Sequence, residues 1–192
     1  MPRSTPSADT ILDTALDLAE TCGWERLYLH DVATALNCDL AAIARHYRQK
    51  DDLVEAWLDR ADAALFERAR GADLATLAPD KRLEELLMAW LGGIAAHRAL
   101  TGQMLLYKLE LGHVHLQVGA PLRVSRTVQW WREAARRHNL HLARVAEESL
   151  LSAVILRTFV HWLRHPEVAD ADLRALLRRQ LRGGPLAWLL RA

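Results

Sequence analysis

The chain has 192 residues, half of them apolar, and a net charge of +1. That excludes a disordered polar chain and allows one or two domains with a real core. Leu, Ala and Arg dominate, Pro and Gly are few, and no stretch alternates apolar and polar residues in the manner of a strand, so the expected fold class is all-α.

Thr5-Pro6 or Ser7 can start a first helix, whose apolar stripe is Ile11, Leu12, Ala15, Leu16, Leu18, Ala19 and Cys22, with Gly23 as its stop. A short second helix is expected over residues 30–36, burying Val32, Ala33 and Leu36. Asn37 tolerates the left-handed turn that follows. Asp39 can cap a third short helix over residues 40–47. A break at Arg48-Gln49 leads into a long fourth helix over residues 50–69, with Leu53, Val54, Trp57, Leu58, Ala61, Ala64 and Leu65 inward and Gly71 beyond its end. Pro79 opens a fifth helix that faces Leu83, Leu86, Leu87, Trp90, Leu91 and Ile94 inward, and Gly92-Gly93 can loosen it. A sixth is expected near residues 101–111. Pro121 is expected to open a seventh, and residues 141–165 form an eighth that is apolar over most of its circumference. A ninth starts near Asp170 and is interrupted at Gly183-Gly184-Pro185. The expectation is about nine helices.

Two cysteines, Cys22 and Cys38, are too few for a disulfide framework and fit a reducing compartment. The start, MPRSTPSADT, has no apolar segment of the secretory kind, and the apolar runs are broken by Arg, Glu or His well short of a membrane span. The expected location is cytoplasmic. Charge is unevenly placed: residues 1–60 hold six basic and eleven acidic residues, a balance of −5, and the remainder carries +6.

The stretch LNCDLAAIARHYRQKDDL, residues 36–53, has the rhythm of a helix-turn-helix. Gly23, Val32, Ala33, Ile43, His46, Tyr47, Lys50 and Leu53 stand in the register of the TetR family of bacterial transcriptional regulators, which the chain resembles over residues 8–57. The resemblance implies a three-helix DNA-binding-type domain over residues 1–49 and a helical ligand-binding and dimerisation domain over residues 50–192. It implies a DNA interface at Tyr28, Arg45, His46, Tyr47, Arg48 and Lys50, with Lys50 meeting a phosphate and Arg45 able to pair bidentately with guanine. The sequence departs from the family pattern: Tyr28 stands for Thr or Ser, Asn37 for Gly, Cys38 for Val, Asp39 for Ser and Ala44 for Tyr. Leu40, Ala41 and Ala42 offer the major groove methyl contacts without hydrogen bonds.

The resemblance also places an effector cavity in the C-terminal domain, where Trp90, Met104, Tyr107, Trp130, Trp131 and Phe159 would wall a site for a small hydrophobic or aromatic effector. Ordinary core filling is the better reading of any one of these residues. Leu150, Ala153, Leu156, Val160, Leu173, Leu177 and Leu181 are the candidate faces of a homodimer built as a twofold four-helix bundle. His113-Val114-His115 and the His161/His165 pair lack a third ligand at motif spacing, so no metal site and no cofactor are expected. No nucleophile–base pair or phosphate loop stands out, so an enzyme is not expected.

Two functions follow. The first is a ligand-responsive regulator, in the usual case a repressor, that binds double-stranded operator DNA as a dimer and is released by its effector. The alternative is a TetR-fold protein without DNA binding, similar in a general way to a lipid-binding auxiliary protein of ubiquinone biosynthesis. Its basic, Trp188-tipped C-terminal segment would then rest on a membrane surface.

Overall fold

The computed structural model describes residues 5–108 and 114–191, apart from the side chains of residues 108 and 114–120. Among these residues there are ten α-helices and no strand: α1 (Ala8–Cys22), α2 (Leu29–Ala35), α3 (Leu40–Ala44), α4 (Lys50–Ala69), α5 (Pro79–Gly93), α6 (Arg98–Lys108), α7 (Val114–Ala134), α8 (His141–Arg164), α9 (Asp170–Leu181) and α10 (Gly184–Arg191). Single 3₁₀ turns at Leu74–Thr76 and Ala95–His97 precede α5 and α6. No helix of the described residues is long and apolar enough to cross a membrane.

The chain packs as two compact units. The first is Met1–Arg60 with His97–His113, and the second is Ala61–Ala96 with Val114–Ala192. In the first unit, Ser7 caps α1 by accepting from the Thr10 amide at 3.1 Å, and Gly23 ends it at φ +85° with its amide on the Ala19 carbonyl. Asn37 takes the left-handed conformation, φ 49°, in the turn between α2 and α3. Its short polar side chain tolerates that region better than most. Ile11, Leu12, Leu16, Trp24, Leu27, Val32, Ile43 and Leu53 are fully buried and form one core. Burying each such side chain contributes about 1.5–3 kcal/mol. The α6 segment belongs to this unit. Gln103 Oε1 accepts from the Trp24 amide at 2.9 Å, Trp57 Nε1 donates to Thr101 Oγ1 at 2.8 Å, and His97 Nδ1 lies 2.7 Å from Glu20.

In the second unit α5, α7, α8, α9 and α10 bury Leu83, Leu86, Leu87, Trp131, Leu151, Leu173, Leu177 and Leu181. Its core also holds charge. Asp62 accepts from Trp90 Nε1 at 2.8 Å, from Thr127 at 3.3 Å and from Arg123 at 2.9 Å. Glu147, fully buried, accepts from Arg132 at 3.2 Å, Arg137 at 2.6 Å and Asn139 at 2.9 Å. Arg137 also donates to the Leu189 and Leu190 carbonyls, satisfying acceptors that the end of α10 leaves open.

Several boundaries differ from the expectation. The third helix stops at Ala44: the His46 amide turns to the Ile43 carbonyl three residues back instead of to Ala42, and only the Tyr47 amide, also on Ile43, keeps the helical four-residue spacing. Pro121 does not open α7 but lies inside it: the ring holds φ near the helical value and removes only one hydrogen bond. The Gly183-Gly184-Pro185 interruption separates a tenth helix, with Gly184 at φ +56°. Residues 109–111, the expected end of the sixth helix, and His113 lie outside the described residues.

Candidate nucleic-acid interface

The helix-turn-helix is held by a small set of contacts. Val32 and Ala33 of α2 pack with Ala42 and Ile43 of α3, all of them buried. Asp39 Oδ1 accepts from the Ala42 amide at 2.8 Å, which fixes the start of α3 and commits that carboxylate to the backbone. What remains outside is a compact face. Leu40 is 52 % exposed, and Ala41, Ala44, Arg45 and His46 are exposed beside it. Leu40 with Ala44, and Ala41 with Arg45, are pairs four residues apart, so the face is three apolar positions and one guanidinium. Ala42, expected on this face, is instead in the core.

At the start of α2, Tyr28 is 57 % exposed and its ring stacks on His30, with centroids 5.3 Å apart at 16°. Tyr28 is the N-cap residue of α2, but its side chain makes no capping hydrogen bond. That leaves the phenol outward, where the shorter Thr or Ser of the family pattern could cap.

Two expected interface residues face inward. Tyr47 is buried, and its hydroxyl donates to the Ala8 carbonyl at 2.9 Å; burial, with Asp9 as a lesser cause, raises its pKa above 10.0. Lys50 sends its ammonium to the Trp24 and Glu25 carbonyls and lies over the rings of Trp24 and Tyr107, 5.2 and 5.1 Å from their centroids. Burial lowers its pKa below 10.5, partly offset by Asp51. Lys50 thus ties the loop after α1 to α6 within the first unit. Arg48 is outward, paired with Asp52 at 3.3 Å, and its amide donates to the same carboxylate at 2.8 Å. The first turn of α4 is therefore met by a carboxylate of its own chain. Of the six residues expected at a DNA interface, Tyr28, Arg45, His46 and Arg48 are exposed, and Tyr47 and Lys50 are engaged within the fold.

The residues expected to wall an effector cavity are divided. Met104 and Tyr107 belong to the first unit, and Trp90, Trp130, Trp131 and Phe159 to the second. Trp90 meets Phe159 edge-on at 5.3 Å, and Phe159 stacks on Trp162 at 5.8 Å. Trp131 is fully buried with its indole N–H on the Leu83 carbonyl at 2.9 Å, while Trp130 is exposed against Phe66. On α8, Leu142, Ala146, Ser149, Ala153, Leu156 and Val160 are exposed at alternating spacings of four and three. Leu150 is half-buried. Leu173, Leu177 and Leu181 of α9 are buried against their own chain and present no surface to another. The basic side of α9 meets α5 carboxylates: Arg174 to Glu85 at 2.6 Å, Arg178 to Glu84 at 3.5 Å and Arg182 to Asp80 at 2.6 Å. The His161 and His165 rings lie 4.4 Å apart, tilted by 38°; among the described residues no cluster of three metal-binding groups forms.

The sequence offered no signal for the Trp24–Gln103–Tyr107–Lys50 assembly, which joins residues far apart in the chain. Asp52 as a cap was also missed, although an acidic residue in a first helical turn is the signal that could have found it.

The chain is 40 % identical to the TetR transcriptional regulator from Nitrosomonas europaea ATCC 19718, over 94 % of its own length and 98 % of that protein's, with a TM-score of 0.81. It belongs to the TetR family. A bacterial regulatory protein in the tetR family from Rhodococcus RHA1 is also similar, at 19 % identity and a TM-score of 0.47 over 96 % of this chain and 95 % of the other. No protein-family model matches the chain, and no curated protein is significantly similar to it. As a TetR-family head, the α2–α3 pair has the helix-turn-helix frame intact and an unusual set of side chains on it.

Proposed function

We propose that this protein is a ligand-responsive transcriptional regulator of the repressor type that binds operator DNA as a homodimer through α3. Residues 1–49 engage DNA, and residues 50–192 carry the effector and dimer contacts. The observation that carries this reading is the outward face of α3. A soluble helix gains nothing from holding Leu40 in water beside Arg45 and His46, whereas a major groove admits such a helix and rewards both groups. Phosphate contacts come from Arg48 and His46, and from the Tyr28 hydroxyl at the start of α2.

Dimerisation is supported by the exposed α8 stripe, whose four-and-three spacing suits helix-on-helix packing. A second copy would cover Leu142, Leu156 and Val160, and the dimer would read two half-sites about one DNA turn apart. Effector binding is supported by the Trp90–Phe159–Trp162 aromatic cluster, with Asp62 and Arg123 supplying polar groups beside Trp90. The effector acts by binding unequally to the DNA-competent and released arrangements.

The test is fluorescence anisotropy on DNA from the protein's own upstream region across a salt series. Saturable binding, tighter than to a scrambled duplex and weakening with salt, is the expected outcome. Equal binding to both duplexes at low salt would overturn the proposal.

A further inference from the structure

The outward face of α3 carries its own statement about which bases it meets. Its helical part presents only carbon: the Leu40 side chain and the methyl groups of Ala41 and Ala44, all exposed. Asp39, the carboxylate that precedes Leu40, is turned back on the helix start, where its Oδ1 accepts from the Ala42 amide at 2.8 Å. Thr and Ser are absent from the face, and Asn and Gln, which pair with adenine, are absent too. In the major groove the single apolar group on a base edge is the C5 methyl of thymine. At the border of this face Arg48 and His46 can meet phosphate, and Arg45 is the one bidentate donor beside the apolar positions.

We infer that α3 reads DNA through thymine methyl groups, with Leu40, Ala41 and Ala44 packed on adjacent thymines and Arg45 on a neighbouring guanine of the same half-site. The inference rests on the DNA-binding reading above. It makes Leu40 the main specificity-determining residue, because it is the largest apolar side chain on the face and is half exposed. It also explains how an acidic head can select a site without a set of polar side chains. Methyl contacts need no partner desolvated at a cost, and burying each methyl contributes on its own.

The experiment begins with selection of a preferred duplex from a random-sequence pool by the full-length protein. The selected site is then synthesised with its half-site thymines replaced by deoxyuridine, which keeps every hydrogen bond and removes only the methyl. Affinity is expected to fall about fourfold for each methyl in contact. Leu40→Ala should weaken binding to the thymine duplex and lose most of the difference between thymine and uracil, a coupling that a double-mutant cycle isolates. Leu40 is exposed, so the variant retains the fold, which circular dichroism checks. Equal affinity for the thymine and uracil duplexes, with a site still selected, would overturn the methyl readout and leave the regulator intact. Selection of no site, with binding equal to scrambled DNA, would overturn both.

Discussion

The α3 face and the interior of the second unit use charge in opposite ways. Around α3 the side chains of Arg45 and His46 are exposed, and the nearest carboxylate, Asp39, caps the helix through one oxygen. In the second unit charge pairs lie inside: Arg132 and Arg137 close on Glu147, and Arg123 closes on Asp62. A count of charges along the chain therefore misdescribes both regions. The −5 of residues 1–60 includes Asp52 on Arg48 and Asp9 and Asp13 on Arg60. The +6 of the rest includes guanidinium groups buried against carboxylates. What a ligand would feel depends on which charges the fold leaves unspent.

The largest effect expected from this contrast lies in the buried network. Glu147→Ala leaves two arginines and Asn139 facing a vacated site in the interior. Removing one partner from a buried ion pair costs about 3–5 kcal/mol, and chemical denaturation followed by circular dichroism would read it. Loss of under about 1 kcal/mol would mean that water reaches Glu147, and the contrast between the two regions would collapse. Arg45→Ala tests the other side. It should leave stability within about 0.5 kcal/mol of the parent, because the side chain is exposed. Operator affinity should fall by about 1–3 kcal/mol, most of it as lost preference at one base pair. A uniform loss across all duplexes would make Arg45 a phosphate contact.

Asp39→Ala joins the two uses of charge in one residue. Removing the cap should cost about 1 kcal/mol of stability. Removing a negative charge from the rim of the proposed interface should strengthen DNA binding in the same protein, more at low salt than at high. Both measurements moving downward would show that the cap is needed to present α3 at all.

The difference between the regions also bears on what could be read in advance. Asn37, Gly23 and the stripe from Ile11 to Ala19 were legible because each is local: a turn conformation, a helix stop, a period of 3.6. The start of α4 at Lys50 was legible for the same reason. The inward turn of Lys50 was not, since it depends on Trp24 and Tyr107, which the fold alone brings to it. Nor could the α9 leucines be separated from those of α8 as dimer candidates. Both helices carry apolar positions at helical spacing, and only packing shows that Leu173, Leu177 and Leu181 are used within the chain, whereas Leu156 and Val160 are not. The outward side of α3 was legible as a composition of side chains. Its boundary moved by one residue, Ala42, which the helix turns into the core.

The smallest effect concerns Lys50 and Tyr47, the two expected DNA contacts that the fold keeps for itself. Their alkaline titrations have opposite signs. Burial lowers the Lys50 pKa below 10.5, so between that lowered value and 10.5 the unfolded chain binds the proton more tightly than the folded one. Stability from Lys50 therefore rises with pH across that window. Burial raises the Tyr47 pKa above 10.0, so from 10.0 up to the raised value the folded chain holds the proton that the unfolded chain has released. Stability from Tyr47 is complete below 10.0 and is lost as pH climbs through that range. Tyr47→Phe should cost about 1 kcal/mol at neutral pH through the lost bond to Ala8, and its penalty should shrink above pH 10. Lys50→Met removes the rise below 10.5, so its stability relative to the parent should decline as pH approaches that value. Urea unfolding of the three proteins at intervals between pH 8 and 11 separates the two slopes. Parallel profiles for all three would mean that both side chains swing out to solvent, where they would again be available to a phosphate.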